Sequence, residues 1–289
     1  MPLGKFINKV GFELEGGWTA EAHKKACKVA GEYGTLFTGD GSVHLFEHEC
    51  RGPDERHPWA GGWKGELPSS AYEDLEKAKA FLLGTYPDIL PTKWASDDNC
   101  GFHIHISMTR PSHYQRLMQR RFFEAVYTFW AAWGKEKAIP AKEPFWHRLA
   151  NESLFCRSDY QPDEQVRLKS KASVRYSGVN YCHAMHGTLE LRLLPMFLDS
   201  NLAVAALEAW VKFVEGWCAD RSTAIPKTTR YFKKVLEFTE EYNSRATLKE
   251  AEPAEWTFSA TQELAGGRSF QQPENIVTCD EIEIDCTNT

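Results

Sequence analysis

Four short segments carry ionisable residues two positions apart: Glu13 and Glu15 in GFELEGG, Glu47 and Glu49 in LFEHEC, His103 and His105 in GFHIHIS, Glu190 and Arg192 in TLELRLL. A β-strand turns successive side chains to opposite faces, so residues at i and i+2 share one face. Apolar residues hold the other parity: Phe12 and Leu14, then Phe102, Ile104 and Ile106, then Leu189, Leu191 and Leu193. If these strands join in one sheet, the apolar face packs under helices. The other face then gathers carboxylates, two imidazoles and a guanidinium.

A solvated polar face is the commonest reason for such alternation. Solvated strands, however, usually mix Thr, Ser and Lys with Glu, and these pairs contain none of them. Two carboxylates about 6.5 Å apart on one face repel by roughly 2.5 kcal/mol at an effective dielectric of about 20. A cluster of them needs cations, and Arg192 alone does not balance it. Carboxylate oxygens suit Mg²⁺ or Mn²⁺, and an imidazole shifts the preference toward Mn²⁺ or Zn²⁺. The set therefore reads as a metal site. Many carboxylates around more than one metal are typical of phosphoryl chemistry. There is no GxxxxGK[ST] loop, so a nucleotide would be held by metals and basic side chains. Arg175 shares strand parity with Ser173 and Ser177 and is the best placed for this. Arg167, Lys169 and Lys171 read as an exposed charged face.

The elements that must position these groups are legible in outline. A strand is expected over Phe6–Glu15 and a helix over Thr19–Glu32, with Thr19 as N-cap. Asp40-Gly41 reads as a tight turn into a strand ending near Cys50. The Gly-, Pro- and Trp-rich stretch from Arg51 to Pro68, with Trp59 and Trp63, is long for a connector and reads either as a functional loop or lid or as a surface loop anchored by those two tryptophans. Ser70-Ala-Tyr-Glu73 is a capping-box pattern opening a helix to about Leu83. A strand follows over Gly101–Met108. Ser112-His-Tyr-Gln115 is a second capping box, opening one long helix with Tyr114, Leu117, Met118, Phe122, Ala125, Phe129 and Trp133 at core spacing. Strands over Ser173–Tyr181 and Gly187–Pro195 precede a helix over Asn201–Cys218, and a helical segment to about Tyr242 leads into a polar tail. The class is α+β with a mainly antiparallel sheet.

Composition narrows the function. The chain has 289 residues, 42% hydrophobic and 26% charged, and a formal net charge of −6. That is globular rather than disordered, and it argues against a dedicated nucleic-acid binder. No secretory pattern or membrane-length apolar run is present. The eight cysteines form no CxxC pair and read as reduced thiols, which fits a cytoplasmic protein. Cys182, His183 and His186 with Cys100 fit no standard zinc spacing, and His44 and His48 fall in an expected strand. Arg116, Arg120 and Arg121 read as a solvated helix face, and Trp130, Trp133, Trp210 and Trp217 as core.

The order GFELE, DGSVHLFEHECRGP, CGFHIHIS, RYSGVN and GTLELRLLP resembles the amidoligase family, carboxylate–amine ligases related to glutamine synthetase and glutamate–cysteine ligase. The resemblance spans roughly residues 8 to 222. It implies a catalytic domain over 1–222 and an appendage over 223–289. It further implies a curved sheet whose concave catalytic face holds ATP and two to three Mg²⁺ or Mn²⁺ ions, with helices on the other face. By this resemblance Glu13, His103 and Glu190 hold the ion between the terminal phosphates, and Glu15 and Glu49 hold the ion nearer the substrate carboxylate. His105 contacts phosphate or substrate, and Arg175 and Arg192 grip the transferring phosphoryl group. Asp40 belongs to the DGS turn. The family's aliphatic pair is Cys50-Arg51 here, so Glu47 stands as the second choice to Glu49.

The implied reaction is ATP-dependent: a substrate carboxylate becomes an acyl phosphate, and an amine displaces phosphate to form an amide. The partners are then a small-molecule or peptide carboxylate and an amine, without a membrane, and an oligomer is compatible. The alternative from the residues is a metal-dependent hydrolase in which His103 and His105 bind Zn²⁺ and Glu190 acts as base, with no nucleotide.

Overall fold

Alternation along β1 (Ile7–Trp18) and β4 (Phe102–Met108) builds the centre of the sheet. Val10, Phe12 and Leu14 of β1 and Phe102, Ile104 and Ile106 of β4 are fully buried on one face. The strands run antiparallel with Glu13 opposite His103 and Gly11 opposite His105. A computed structural model describes residues 2–18, 20–32, 38–39, 63–89, 100–150, 176–181 and 187–223. Among them the remaining strands are β2 (Thr38–Gly39), β3 (Trp63–Pro68), β5 (Val179–Asn180) and β6 (Leu189–Leu191). They form one six-stranded sheet of order β2-β3-β1-β4-β6-β5, antiparallel throughout. With α1 (Ala20–Glu32), α2 (Leu75–Ile89), α3 (Pro111–Leu117), α4 (Arg120–Glu136), α5 (Pro144–Leu149) and α6 (Ser200–Ala219), the class is α+β.

Helices α2 and α6 cover the apolar face, burying Ala78, Phe81 and Leu82 from the first and Ala203, Leu207, Trp210, Val211 and Val214 from the second. Phe12 stacks on Phe81 and meets Phe102, each at 5.9 Å between ring centroids. Trp130 and Trp210 are both fully buried, with ring centroids 6.2 Å apart, so these tryptophans are packing residues. Cys27, Cys100 and Cys218 are thiols, and burial pushes the Cys218 thiol up to about 12. The other five cysteines, the DGS turn, the helical segment expected to Tyr242 and the polar tail lie outside the described residues.

Three expectations are corrected. The stretch expected as a loop or lid ends in a strand: Trp63–Pro68 pairs along β1, while Arg51–Gly62 lies outside the described residues. Ser70-Ala-Tyr-Glu73 does not open α2. The chain from Ser69 to Tyr72 continues beside β1 (Ser69 N–H to Phe12 O, 2.8 Å; Tyr72 N–H to Val10 O, 2.7 Å). Asp74 caps instead, accepting from the N–H groups of Glu76 at 2.8 Å and Lys77 at 3.2 Å. The capping box at Ser112 is likewise unused. Pro111 begins α3, Arg110 is the N-cap without a side-chain bond, and the expected long helix breaks at Met118–Gln119. Gln119 Nε2 bonds Arg116 O at 3.0 Å and Thr223 O at 2.6 Å, tying the break to the end of α6. Arg116 donates to Cys218 O in the last turn of α6 and Arg121 to Ser222 O just beyond it, while Arg120 and Arg121 remain exposed, as a solvated helix face would.

The start of β1 is held by one side chain. Glu215 of α6 accepts from the backbone N–H groups of Lys5 at 2.9 Å, Phe6 at 2.7 Å and Ile7 at 2.7 Å. Gly4, at φ +143°, lies so close that a Cβ there would collide with the Glu215 carboxylate. Glu215→Ala strands these donors and is expected to cost about 2–3 kcal/mol. A lower denaturant midpoint with faster amide exchange at Phe6 and Ile7 is the expected signature.

Candidate metal centre

Register turns the alternation into a site. Across the sheet, Glu66 of β3 faces Glu15, Glu13 faces His103, and His105 faces Glu190, which faces Asn180 of β5. All lie on the face opposite the apolar core. Glu15, Glu66, His103, His105, Asn180 and Glu190 are buried, and Glu13 is half-buried.

Ligand atoms of Glu13, His105 and Glu190 all lie within 4.8 Å of one another. His105 Nε2 is 3.2 Å from Glu13 Oε1 and 3.9 Å from Glu190 Oε1, and its Nδ1 lies 3.2 Å from Thr188 Oγ1. His103 is fully buried beneath them, its Nδ1 3.2 Å from Glu13 Oε2 and 3.3 Å from Glu190 Oε1. Both imidazoles thus present a nitrogen to the same two carboxylates, where the resemblance assigned only His103 to the ion. The other nitrogen of His103 lies 3.4 Å from Glu15 Oε2, and Glu15 is anchored by the N–H of Gly101 at 2.7 Å.

Burial opposes charge on Glu13, but the facing imidazoles of His105 and His103 outweigh it and hold its carboxyl well below the usual range. Burial also opposes charge on Glu190. Arg192 first, then His105 and His103, bring its carboxyl down to about 2, against the contrary push of Glu13. Both acids are therefore held as anions by their cationic neighbours. Glu190 accepts from Arg192 Nη1 and from Asn180 Nδ2 at 2.6 Å. The Arg192 guanidinium sits 5.8 Å from the Tyr176 ring centroid, and its backbone N–H is held by Gly178 O at 2.8 Å. The carboxylates of the donor set suit Mg²⁺ or Mn²⁺, and its imidazoles shift the preference toward Mn²⁺ or Zn²⁺.

Of the residues singled out in the sequence, the structure brings together Glu13, Glu15, His103, His105, Glu190 and Arg192. Arg175, Glu47 and Glu49 lie outside the described residues. Glu66, Gly101, Asn180 and Arg148 were missed. Glu66 sat in the stretch read as a loop or lid. The available signal was the run GELP leading to an Asp74-capped helix, since Glu66 and Leu67 alternate as a strand of the same sheet would.

Gly101 is needed for space. A Cβ there would run into His103 Nε2 and stand 2.8 Å from Arg148 Nη2. Gly101→Ala is expected to weaken Mn²⁺ binding by about tenfold or more while leaving helix content unchanged, read by Mn²⁺ paramagnetic resonance and circular dichroism.

In comparison with known proteins, the chain matches no family model, no curated protein and no solved structure. Among the described residues no helix is long and apolar enough to cross a membrane.

Proposed function

We propose that this chain is an ATP-dependent carboxylate–amine ligase of the amidoligase kind, its sheet face serving as a glutamine-synthetase-like catalytic face. The observation that carries this reading is the convergence of Glu13, His105 and Glu190 within 4.8 Å, beside Glu15, Glu66 and a buried Arg192. The motif order noted in the sequence supports it.

Glu13, His105, His103 and Glu190 would hold one divalent ion, and Glu15 with Glu66 a second. When bound, the ions neutralise and align phosphate oxygens. Arg192, fixed by Glu190, stabilises negative charge on the transferring phosphoryl group, and Arg175 is its proposed partner. The buried floor around His103 keeps its donors oriented before substrate arrives, so no reorganisation is spent during transfer. The product is an amide, with ADP and phosphate released.

The test is release of ADP and phosphate by the purified chain with Mg²⁺ and pooled carboxylates and amines. ATP-, Mg²⁺- and amine-dependent phosphate release is expected. Stoichiometric tightly bound zinc, with hydrolysis of amide or ester substrates and no use of ATP, would replace this reading by the hydrolase built on His103 and His105.

A further inference from the structure

We infer that Arg148 is a positioning residue for this site, setting the Arg192 segment and the His103 pocket. The inference rests on the divalent-cation reading of the cluster. Arg148 belongs to the short helix α5, remote in sequence from every site strand, yet its side chain is fully buried. An arginine withdrawn from water is costly unless its charge and donors are used.

Its contacts with the site strands place it. Nη2 donates to Arg192 O at 2.6 Å. The Arg192 peptide is therefore gripped on both sides, its N–H by Gly178 O at 2.8 Å and its carbonyl by Arg148. The same Nη2 borders the space that Gly101 leaves open, and His103 Nε2 borders that space too. Gly101 in turn donates its N–H to Glu15 at 2.7 Å. One guanidinium thus adjoins the peptide that aims Arg192, the imidazole that faces Glu13 and Glu190, and the glycine that anchors Glu15.

Charge and position predict opposite outcomes. If Arg148 acted only as a buried positive charge near a cation site, its removal would tighten divalent binding, because like charges repel. If it positions the donors, its removal loosens binding although a repulsive charge has gone. Arg148→Lys sharpens the contrast: it keeps the charge but replaces a rigid planar fork by a flexible ammonium that does not hold the same geometry against the Arg192 carbonyl.

The experiment is a Mn²⁺ titration, followed by paramagnetic resonance, of the full chain as wild type, Arg148→Met and Arg148→Lys. Both variants are expected to bind Mn²⁺ about tenfold or more weakly than wild type. In parallel, the Arg148 Nε resonance of the wild-type chain is expected to shift on addition of diamagnetic Mg²⁺, a readout that needs no variant to fold. Equal or tighter Mn²⁺ binding by a folded variant would overturn the inference alone, as would an Arg148 resonance unmoved by saturating Mg²⁺. Failure of the wild-type chain to bind Mn²⁺ would overturn the divalent-cation reading and this inference together.

Discussion

On the divalent-cation reading, Glu190→Gln should abolish the thermal stabilisation expected from Mn²⁺ on the wild-type chain, and the proposed turnover with it. Glu190 contributes a ligand oxygen to the cluster with Glu13 and His105 and also accepts from Arg192 and Asn180. An amide at this position keeps the shape but removes the charge, and it turns a donor toward a site that needs acceptors. At free Mn²⁺ about a hundred times its Kd, the wild type gains about 2.7 kcal/mol. For a domain of this size that raises Tm by roughly 5–10 °C. In Glu190→Gln the rise should vanish within error, and Mg²⁺-dependent phosphate release should fall below detection. Without metal, Glu13→Gln should melt below wild type, because the facing imidazoles of His105 and His103 favour the Glu13 anion over the cost of its burial and an amide forgoes that attraction. Scanning calorimetry with and without Mn²⁺ checks both. A Glu190→Gln chain that still gains several degrees from Mn²⁺ would remove Glu190 from the ligand set.

Arg192→Ala is expected to have the second large effect, with a different signature. Arg192 is the buried cation bonded to Glu190, and removing one partner of a buried pair costs about 3–5 kcal/mol. The remaining carboxylates then lack a major source of compensation, so metal-free Arg192→Ala should melt far below wild type. Divalent ions should recover more of that loss than they add to wild type, because they supply the missing positive charge. Turnover should fall by about a thousandfold or more while nucleotide affinity changes much less, since an arginine on a transferring phosphoryl group acts mainly on the transition state. Comparable losses in turnover and nucleotide binding would instead place Arg192 in ground-state binding. The double variant Glu190→Leu/Arg192→Met should be less destabilised than Arg192→Ala, because an apolar pair of similar volume leaves no buried charge behind.

Much of the core follows from local pattern. The buried parity of β1 and β4, and the α6 face of Val204, Leu207, Val211, Val214 and Cys218, of which Val204 is only partly buried, could be read directly because amphipathic spacing is a property of a single element. Element ends were less legible. Ser70 and Ser112 both stand in capping-box patterns, yet Ser69–Tyr72 is drawn into hydrogen bonds with β1, and Pro111 starts its helix one residue earlier. In each case a tertiary contact or a proline outweighed a cap worth about 1 kcal/mol.

By itself the sequence determined which chemical groups share a face: carboxylates and imidazoles on one parity of β1 and β4, and a Glu–Arg pair on TLELRLL. Period two is dictated by the backbone of each strand and needs no partner. Only the tertiary structure decided which group meets which. Register put His105, as well as His103, against Glu13 and Glu190; strand pairing brought Glu66 opposite Glu15; and the fold brought Arg148 to the Arg192 carbonyl. Those choices depend on contacts between segments far apart in the chain, where a shift of one residue would send every side chain to the opposite face.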